Sequence, residues 1–213
     1  MCKGMGIMVD LKGMSRKDKA GYIWDYYKLH IIGALAFICI IIFFVNSQGT
    51  KIDYVFNLTI LGNSVDNNKV TNLEKQLTNV VVKDGDTKKQ AEVNNLVIGT
   101  STSSQYMQKF IAEIAAGELD VVILDKATFE SLVKQDLFLR LDNISGFDLA
   151  SIKSEKIEAR VRDKNKAVFA INAKDIKVFK DIGINTDNKV IVVISSSKHL
   201  DKDNMVLKWL LIK

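Results

Sequence analysis

Small polar residues follow each apolar run of this chain that is typical of a buried strand. Asn63 follows the first run, a Gly-Thr-Ser-Thr-Ser-Ser segment begins at Gly99 after the second, Asp125 follows the third and Ser196 follows the last. In open α/β sheets, ligands bind beyond the carboxyl ends of the strands. The sequence therefore predicts a non-catalytic site for a small polar solute at that edge, formed by Asn63, Gly99, Thr100, Ser101, Ser104, Asp125 and Ser196.

The segment from Gly99 to Ser104 is the strongest candidate within this set. It places free backbone N–H groups and hydroxyls at the start of a predicted helix, where an anion or a polar solute is favoured. No Gly-Lys-Ser or Gly-Lys-Thr follows, so the segment is not a phosphate-binding P-loop. A capped helix start with small residues and no ligand is the alternative reading of the same segment.

Catalytic chemistry has little support in the sequence. Ser196 is close to Lys198 and His199, but no strained strand-to-helix elbow or oxyanion motif accompanies it. Asp120 and Asp125 lie at opposite ends of one predicted strand, about 16 Å apart, so they cannot act as a carboxylate pair. Asp125 is interpreted as a helix cap. Beyond residue 50 there is one histidine and no cysteine, so we expect no enzyme activity, no metal and no cofactor.

The elements that must position these residues alternate between strand and helix periodicity. Strict alternation over Ile52–Leu61 predicts a strand, and helical spacing of apolar residues predicts a helix after it, capped by Asp66 or Asn67. Further strands are predicted at Val93–Ile98, Val121–Leu124, Ala167–Ile171 and Val190–Ile194, and a last helix at Asn204–Ile212. This order predicts a three-layer α/β domain with a mainly parallel sheet.

The run Leu29–Val45 contains no ionisable residue except His30 and Cys39. A helix of that length rises about 25 Å, close to the minimum for crossing the hydrocarbon core of a bilayer. The leader before it is long for a secretory signal, and no Ala-x-Ala pair follows it. The run therefore predicts an uncleaved transmembrane helix, with a cleaved signal and a buried core helix as alternatives.

Charge around the run predicts its orientation. Six cations precede it, whereas the next cations after it are Lys51 and Lys69. Because cytoplasmic flanks carry the excess of Lys and Arg, we expect a cytoplasmic N-terminus and an extracytoplasmic domain at the cell membrane. Trp24, Tyr26 and Tyr27 suit the aromatic belt at the interface.

The predicted organisation is a basic cytoplasmic tail at 1–21, a transmembrane helix with its aromatic pre-membrane segment at 22–46, and an extracytoplasmic α/β domain at 50–213. The net charge of +5 is modest, and no basic stripe with interleaved aromatic residues is present. Nucleic acid is therefore not an expected partner.

One part of the chain resembles a known family. The stretch from Phe110 to Asp125 (FIAEIAAGELDVVILD), the later LFLRLD beginning at Leu137, and the return from Val190 to Leu211 are similar to extracellular solute-binding proteins of ABC importers. That resemblance implies a type 2 periplasmic-binding fold, in which two lobes enclose a solute. Only about 25 residues separate Asp142 from Ala167, too few for a second lobe, so the chain is expected to form one lobe.

These observations predict a non-catalytic, single-pass bacterial membrane protein whose outer domain is an accessory or interaction module of a membrane complex. The predicted partners are the lipid bilayer, through Leu29–Val45, and a membrane protein. The alternative is an extracytoplasmic solute receptor for an ABC importer, which binds a small polar solute near the turn from Gly99 to Ser104.

Overall fold

Two units make up the chain in its computed structural model, which describes residues 15–49, 51–62, 65–97, 103–161 and 165–212. The first unit ends at Lys51 and the second, an α/β domain, begins at Ile52.

The described part of the first unit is a single long helix, α1 (Arg16–Gly49). The chain contains no proline, so nothing in its sequence interrupts the helical hydrogen bonds. Apolar side chains are exposed around its whole circumference, among them Leu35, Phe37 and Phe43. Within α1, Trp24–Phe44 is long and apolar enough to cross a bilayer, a property that membrane anchors share with signal sequences.

The second unit is built from six strands and five α-helices among the described residues. The strands are β1 (Asp53–Gly62), β2 (Lys89–Val97), β3 (Val121–Asp125), β4 (Lys156–Ala159), β5 (Ala167–Asn172) and β6 (Lys189–Val193). The helices are α2 (Asn67–Val81), α3 (Ser103–Ala116), α4 (Lys126–Leu132), α5 (Lys177–Asp181) and α6 (Leu200–Leu211). Short 3-10 turns lie at Val133–Gln135, Leu141–Asn143 and Leu149–Ser151.

All six strands form one sheet in the order β2-β1-β3-β6-β5-β4. β2 and β3 run parallel to β1, whereas β6 is antiparallel to β3, β5 to β6 and β4 to β5. We call the edge where β1, β2 and β3 end the carboxyl edge, and the edge where they begin the amino edge. Because β6 runs the other way, it begins at the carboxyl edge and ends at the amino edge.

Helices cover both faces of this sheet, which gives two core layers. On β1, Phe56, Leu58 and Ile60 point into a layer shared with α2, α5 and α6, and Leu61 points into the layer shared with α3 and α4. Each large side chain that is buried completely, such as Phe56, contributes about 1.5–3 kcal/mol through the hydrophobic effect. The α/β class with helices on both faces is therefore confirmed.

The structure differs from the sequence-based expectation in the details of the second unit. β4 was not expected, and α6 begins at Leu200 rather than at Asn204. β2 begins at Lys89 rather than at Val93. It is an edge strand, and side chains of α2 accept hydrogen bonds from its outer backbone groups. The backbone N–H groups of Ala91 and Val93 on its outer side donate to Thr78 Oγ1 and Glu74 Oε1, at 3.0 and 3.1 Å. Polar residues can therefore extend this strand.

Candidate functional site

A polar cleft of about 350 Å³ opens at the carboxyl edge of the sheet. β1 contributes Gly62 and β3 contributes Asp125 where each strand ends, and β6 contributes Lys189 where it begins. Antiparallel pairing places Lys189 directly beside Asp125. The remaining lining residues come from β1, the residues before α2 and the segment between α5 and β6: Ile60, Val65, Gly183, Ile184, Asn185 and Asp187.

Lys189 is the buried charge of this cleft, with 7% of its surface exposed. Its ammonium donates to the backbone oxygen of Leu61 at 2.9 Å and to Asp125 Oδ1 at 3.1 Å. A buried cation is costly unless it is paired and hydrogen-bonded, and these two oxygens satisfy that need. The floor of the cleft is therefore close to neutral, and Asp187 adds one exposed carboxylate at its rim.

Gly62 makes room for the lysine. Its φ is +152°, and a Cβ atom at this position would lie 2.7 Å from Lys189 Nζ. A residue with a side chain would therefore both meet the ammonium and strain the backbone.

The residues predicted for a solute site fall in several places. Asn63, Gly99, Thr100 and Ser101 lie outside the described residues. Ser104 lies in the first turn of α3. Asp125 lines the cleft and occupies the N-cap position of α4, as expected for a helix cap, but its side chain makes no capping hydrogen bond. It is drawn to Lys189 instead, because the buried ammonium is the stronger partner.

Ser196 is at the amino edge, far from Asp125 along the sheet. The expectation that Ser196 shares one edge with Asp125 was wrong, because β6 is antiparallel to β3 and so ends at the opposite edge. Ser196 Oγ donates to the backbone oxygen of Ile114 at 2.5 Å, and Lys198 Nζ donates to that of Ala116 at 3.1 Å. Both side chains satisfy carbonyl groups at the end of α3, which is a structural role.

The amino edge carries a second polar site, which we call the amino-edge cluster: Asp120, Ser197, His199 and Asp203. Ser197 Oγ lies 2.7 Å from Asp120 Oδ1 and 2.7 Å from Asp203 Oδ2. His199 Nδ1 lies 3.1 Å from Asp120 Oδ2. Among the described residues, the serine hydroxyl makes no hydrogen bond with the imidazole ring, so these residues are not arranged as a nucleophile and its general base.

The two carboxyl groups of this cluster are in different electrostatic situations. Asp120 is 2% exposed and accepts the backbone N–H of Asn57 at 2.8 Å as well as the contacts above. Asp203 is 0% exposed, and its Oδ1 has no hydrogen-bond partner among the described residues. Burial first, and then the charge of Asp120, raises the pKa of Asp203 to about 8, against the lowering effect of the Ser197 hydrogen bond.

Sequence reasoning missed Lys189 and the amino-edge cluster. Lys189 and Asp120 share one signal: each comes immediately before a run of residues that is apolar on both faces of the strand. A charged residue at the entrance of such a strand must find a partner at the sheet edge. Asp203 gave no such signal, because it precedes the predicted helix at Asn204–Ile212 and belongs to a charged stretch with Asp201 and Lys202 that is typical of the surface.

Metal binding has no support in the described part of the chain, where no three His, Cys, Asp or Glu side chains are grouped so that they could hold an ion.

The cleft at the carboxyl edge offers hydrogen-bond donors, acceptors and a paired ammonium. This arrangement can bind a small polar molecule or the polar surface of a partner.

Comparison with known proteins finds distant similarity among solved structures. No protein-family model and no curated protein matches the chain. Among solved structures, the chain is similar to an extracellular solute-binding protein family 1 from Alicyclobacillus acidocaldarius subsp. acidocaldarius DSM 446, at 17% identity and a TM-score of 0.33. The match covers 57% of this chain and 28% of that chain, so it spans little more than a quarter of that protein. A similarity at this level assigns neither a family nor an activity.

Proposed function

We propose that this chain is a non-catalytic, single-pass membrane protein that presents its α/β domain outside the cell as an accessory or interaction module of a membrane complex. The observation that carries the proposal is the exposed apolar surface of α1. Over Trp24–Phe44 none of the helix is buried, and apolar side chains occupy all of its faces. Such a surface is stable in lipid rather than in water.

The proposed orientation depends on charge. Arg16 and Lys17 lie in the first turn of α1, and further cations precede them, whereas the residues just beyond α1 carry few. Tyr26 and Tyr27 are exposed near the same end, with ring centroids 4.9 Å apart. Cations and exposed aromatic rings together are typical of the cytoplasmic interface.

The non-catalytic part of the proposal is supported by the contacts that the polar and charged side chains of both edges make. In the cleft, Lys189 is held by Asp125 and by the backbone of Leu61. At the amino edge, Ser196 is held by the end of α3. Each group is committed to a structural contact, and neither site pairs a nucleophile with a base.

Membrane attachment is tested by alkaline carbonate extraction of cell membranes. The parent chain is expected to remain in the membrane pellet. A variant with both Leu35→Lys and Ile38→Lys should be released, because each central charge costs about 2.5–3.5 kcal/mol of insertion free energy. Leu200→Lys is the matched control: Leu200 is an exposed apolar residue of the α/β domain, so the control should stay in the pellet. Extraction of the parent chain would contradict the proposal.

The role in a complex is tested by purification of the full chain in a mild detergent after chemical cross-linking in cells. A membrane protein should be recovered in stoichiometric amount. The control bait joins residues 1–49 to an unrelated domain, and it should lose that partner if the α/β domain makes the contact. Recovery of no stoichiometric partner would count against an accessory role.

A solute receptor is the second candidate, and the cleft at the carboxyl edge favours it. Its volume of about 350 Å³ and its mixed polar lining suit a small polar molecule. Sugars, amino acids and peptides at millimolar concentration should then raise the melting temperature, since a ligand at 100 times its Kd adds about 2.7 kcal/mol. Asp187→Ala, in the cleft, should weaken the shift, and Asp175→Ala, on the exposed surface outside it, should not. Absence of any stabilisation would retire this candidate.

A further inference from the structure

In the amino-edge cluster, the hydroxyl hydrogen of Ser197 cannot by itself account for both short oxygen–oxygen contacts that this hydroxyl makes. One hydroxyl, that of Ser197, lies between two carboxyl groups at 2.7 Å from each. A hydroxyl has one hydrogen and can donate to only one of them. The second short contact needs a hydrogen from the other partner, so one of the two carboxyl groups must carry a proton.

The surroundings identify Asp203 as the group that holds this proton. Asp120 accepts from the backbone N–H of Asn57 at 2.8 Å and faces His199 Nδ1 at 3.1 Å, so its negative charge is well compensated. Asp203 has only the contact with Ser197, and its Oδ1 is buried without a partner among the described residues. A neutral carboxyl group tolerates such an oxygen far better than a carboxylate does.

We propose that the amino-edge cluster is a proton-binding site that couples the docking of helix α6 onto the domain to the pH of the surrounding solution. In the bound state, the Asp203 carboxyl donates to Ser197 Oγ, and Ser197 in turn donates to Asp120. Ser197 Oγ also accepts the backbone N–H of His199 at 3.2 Å, the residue just before α6. The proton therefore links the start of β3 to the start of α6.

Loss of the proton would leave two carboxylates facing one hydroxyl in a buried place. Asp203 belongs to α6, whose Val206, Leu207 and Leu210 pack in the same core layer as α2 and β1. Movement of α6 away from the sheet exposes Asp203 to water and separates the charges. That movement opposes the burial of these apolar side chains, so the proton decides how firmly α6 is docked.

The other charged groups around Asp203 are few. On its own helix, Asp201 and Lys202 pair with each other at 3.1 Å. Lys202 also lines a groove with Lys83, Asp84 and Lys89, which follow α2 and begin β2. Asp120 lies immediately before β3, β1 contributes the backbone of Asn57, and the turn before α6 contributes His199. Among the described contacts, no cation reaches Asp203 to replace the proton.

The proposal predicts the sign of the pH dependence. Asp203 binds the proton more tightly in the folded chain than in the unfolded chain, where its pKa is the ordinary 3.8. Its contribution to stability is therefore complete below about pH 4 and is lost as pH rises through the folded value of about 8. Over that window, the unfolding equilibrium constant should rise about tenfold per pH unit on account of this one proton.

The test compares the full chain in detergent with Asp203→Asn, both in a Trp24→Phe background that leaves Trp209 on α6 as the only tryptophan. An asparagine amide can donate to Ser197 Oγ at every pH. The ratio of the two unfolding constants should therefore change about tenfold per pH unit from about pH 5 to pH 7.5 and become constant above about pH 8.5. At denaturant concentrations too low to unfold the domain, the emission maximum of Trp209 should shift as the pH rises. This shift should occur in the parent chain and not in Asp203→Asn.

Two further variants close the test. Asp175→Asn, an exposed acid outside both sites, should keep the pH dependence of the parent chain. If Asp203→Asn does not fold, Asp120→Asn provides the test. Removal of the adjacent charge should lower the pKa of Asp203, so the pH above which stability becomes constant should be lower in this variant. Equal pH slopes in the parent chain and Asp203→Asn, or an unmoved dependence in Asp120→Asn, would overturn the proposal.

Discussion

The two ends of strand β3 carry the same residue type in opposite situations. Asp125, at the carboxyl edge, is half-exposed and faces the buried ammonium of Lys189 at 3.1 Å. Asp120, at the amino edge, is 2% exposed and shares one hydroxyl with a second buried acid. The first end is neutralised by a cation and opens into a cleft. The second end is neutralised by a proton and is closed.

This difference teaches that the partner strand determines the role of each aspartate. Because β6 is antiparallel to β3, its first residue, Lys189, meets the last residue of β3. The turn that follows β6 then meets the first residues of β3 and brings Ser197 to Asp120. A polar cleft that is open to solvent suits ligand contact, whereas a buried carboxyl pair suits the attachment of a helix.

The largest expected effect is at the closed end. Asp120→Ala removes the acceptor for the Asn57 backbone N–H, for the Ser197 hydroxyl and for the His199 ring. Buried donors left without partners should lower the free energy of unfolding by about 2–3 kcal/mol. Urea denaturation of the full chain in detergent at pH 7 measures this loss. A smaller loss than that of Asp125→Ala would reverse the comparison.

Gly62→Ala should have the next largest effect, at the open end. The new Cβ would lie 2.7 Å from Lys189 Nζ, and the backbone φ of +152° strains any residue with a side chain. We expect a loss of about 1–2 kcal/mol in the free energy of unfolding. Gly85→Ala, at a φ of +68°, is the control for a positive φ without a close contact, because no atom lies within 4 Å of its Cβ position. Equal losses in the two variants would mean that the lysine is not held in place.

Asp125→Ala should cost less, about 1 kcal/mol or below, because the carboxylate is half-exposed and water screens its pair with Lys189. Lys189 keeps its hydrogen bond to the Leu61 carbonyl and gains access to water. The same denaturation experiment applies. A loss of several kcal/mol would show that the cleft is as closed as the amino edge.

Ser196→Ala should have the smallest effect, about 0.5–1 kcal/mol, through loss of one hydrogen bond to the end of α3. Any ligand found for the carboxyl-edge cleft should bind this variant with unchanged affinity. Weaker binding would connect the two edges and remove the distinction between them.

The sequence predicted the elements better than their contacts. Period-two alternation at β1 and the doubly apolar runs at β3 and β6 follow from local burial, so these strands could be recognised. The direction of β6 could not, because a run of apolar residues reads the same in either orientation. β4 was missed because two of its four residues are charged. Within the candidate site, Asp125 was identified, whereas Lys189 resembled an ordinary surface lysine beside an Asp-Asn turn.

Asp203 illustrates why the remaining contacts escape sequence reasoning. Its burial depends on Ser197 and on Asp120, and Ser197 and Asp120 are 77 residues apart along the chain. No local pattern encodes such a meeting. Only the folded chain places the two acids around one hydroxyl. The need for a proton on one of them follows from the distances between Ser197 Oγ and the two carboxyl groups.

Labelling with a membrane-impermeant maleimide in intact cells tests the central claim most directly. The chain has two cysteines, Cys2 in the tail and Cys39 within Trp24–Phe44, and Lys153→Cys adds one on the exposed surface of the α/β domain. We expect Lys153→Cys to react in intact cells, Cys2 to react only after permeabilisation, and Cys39 to stay unreactive in lipid. Labelling of Cys2 but not of Lys153→Cys in intact cells would contradict the proposed membrane topology.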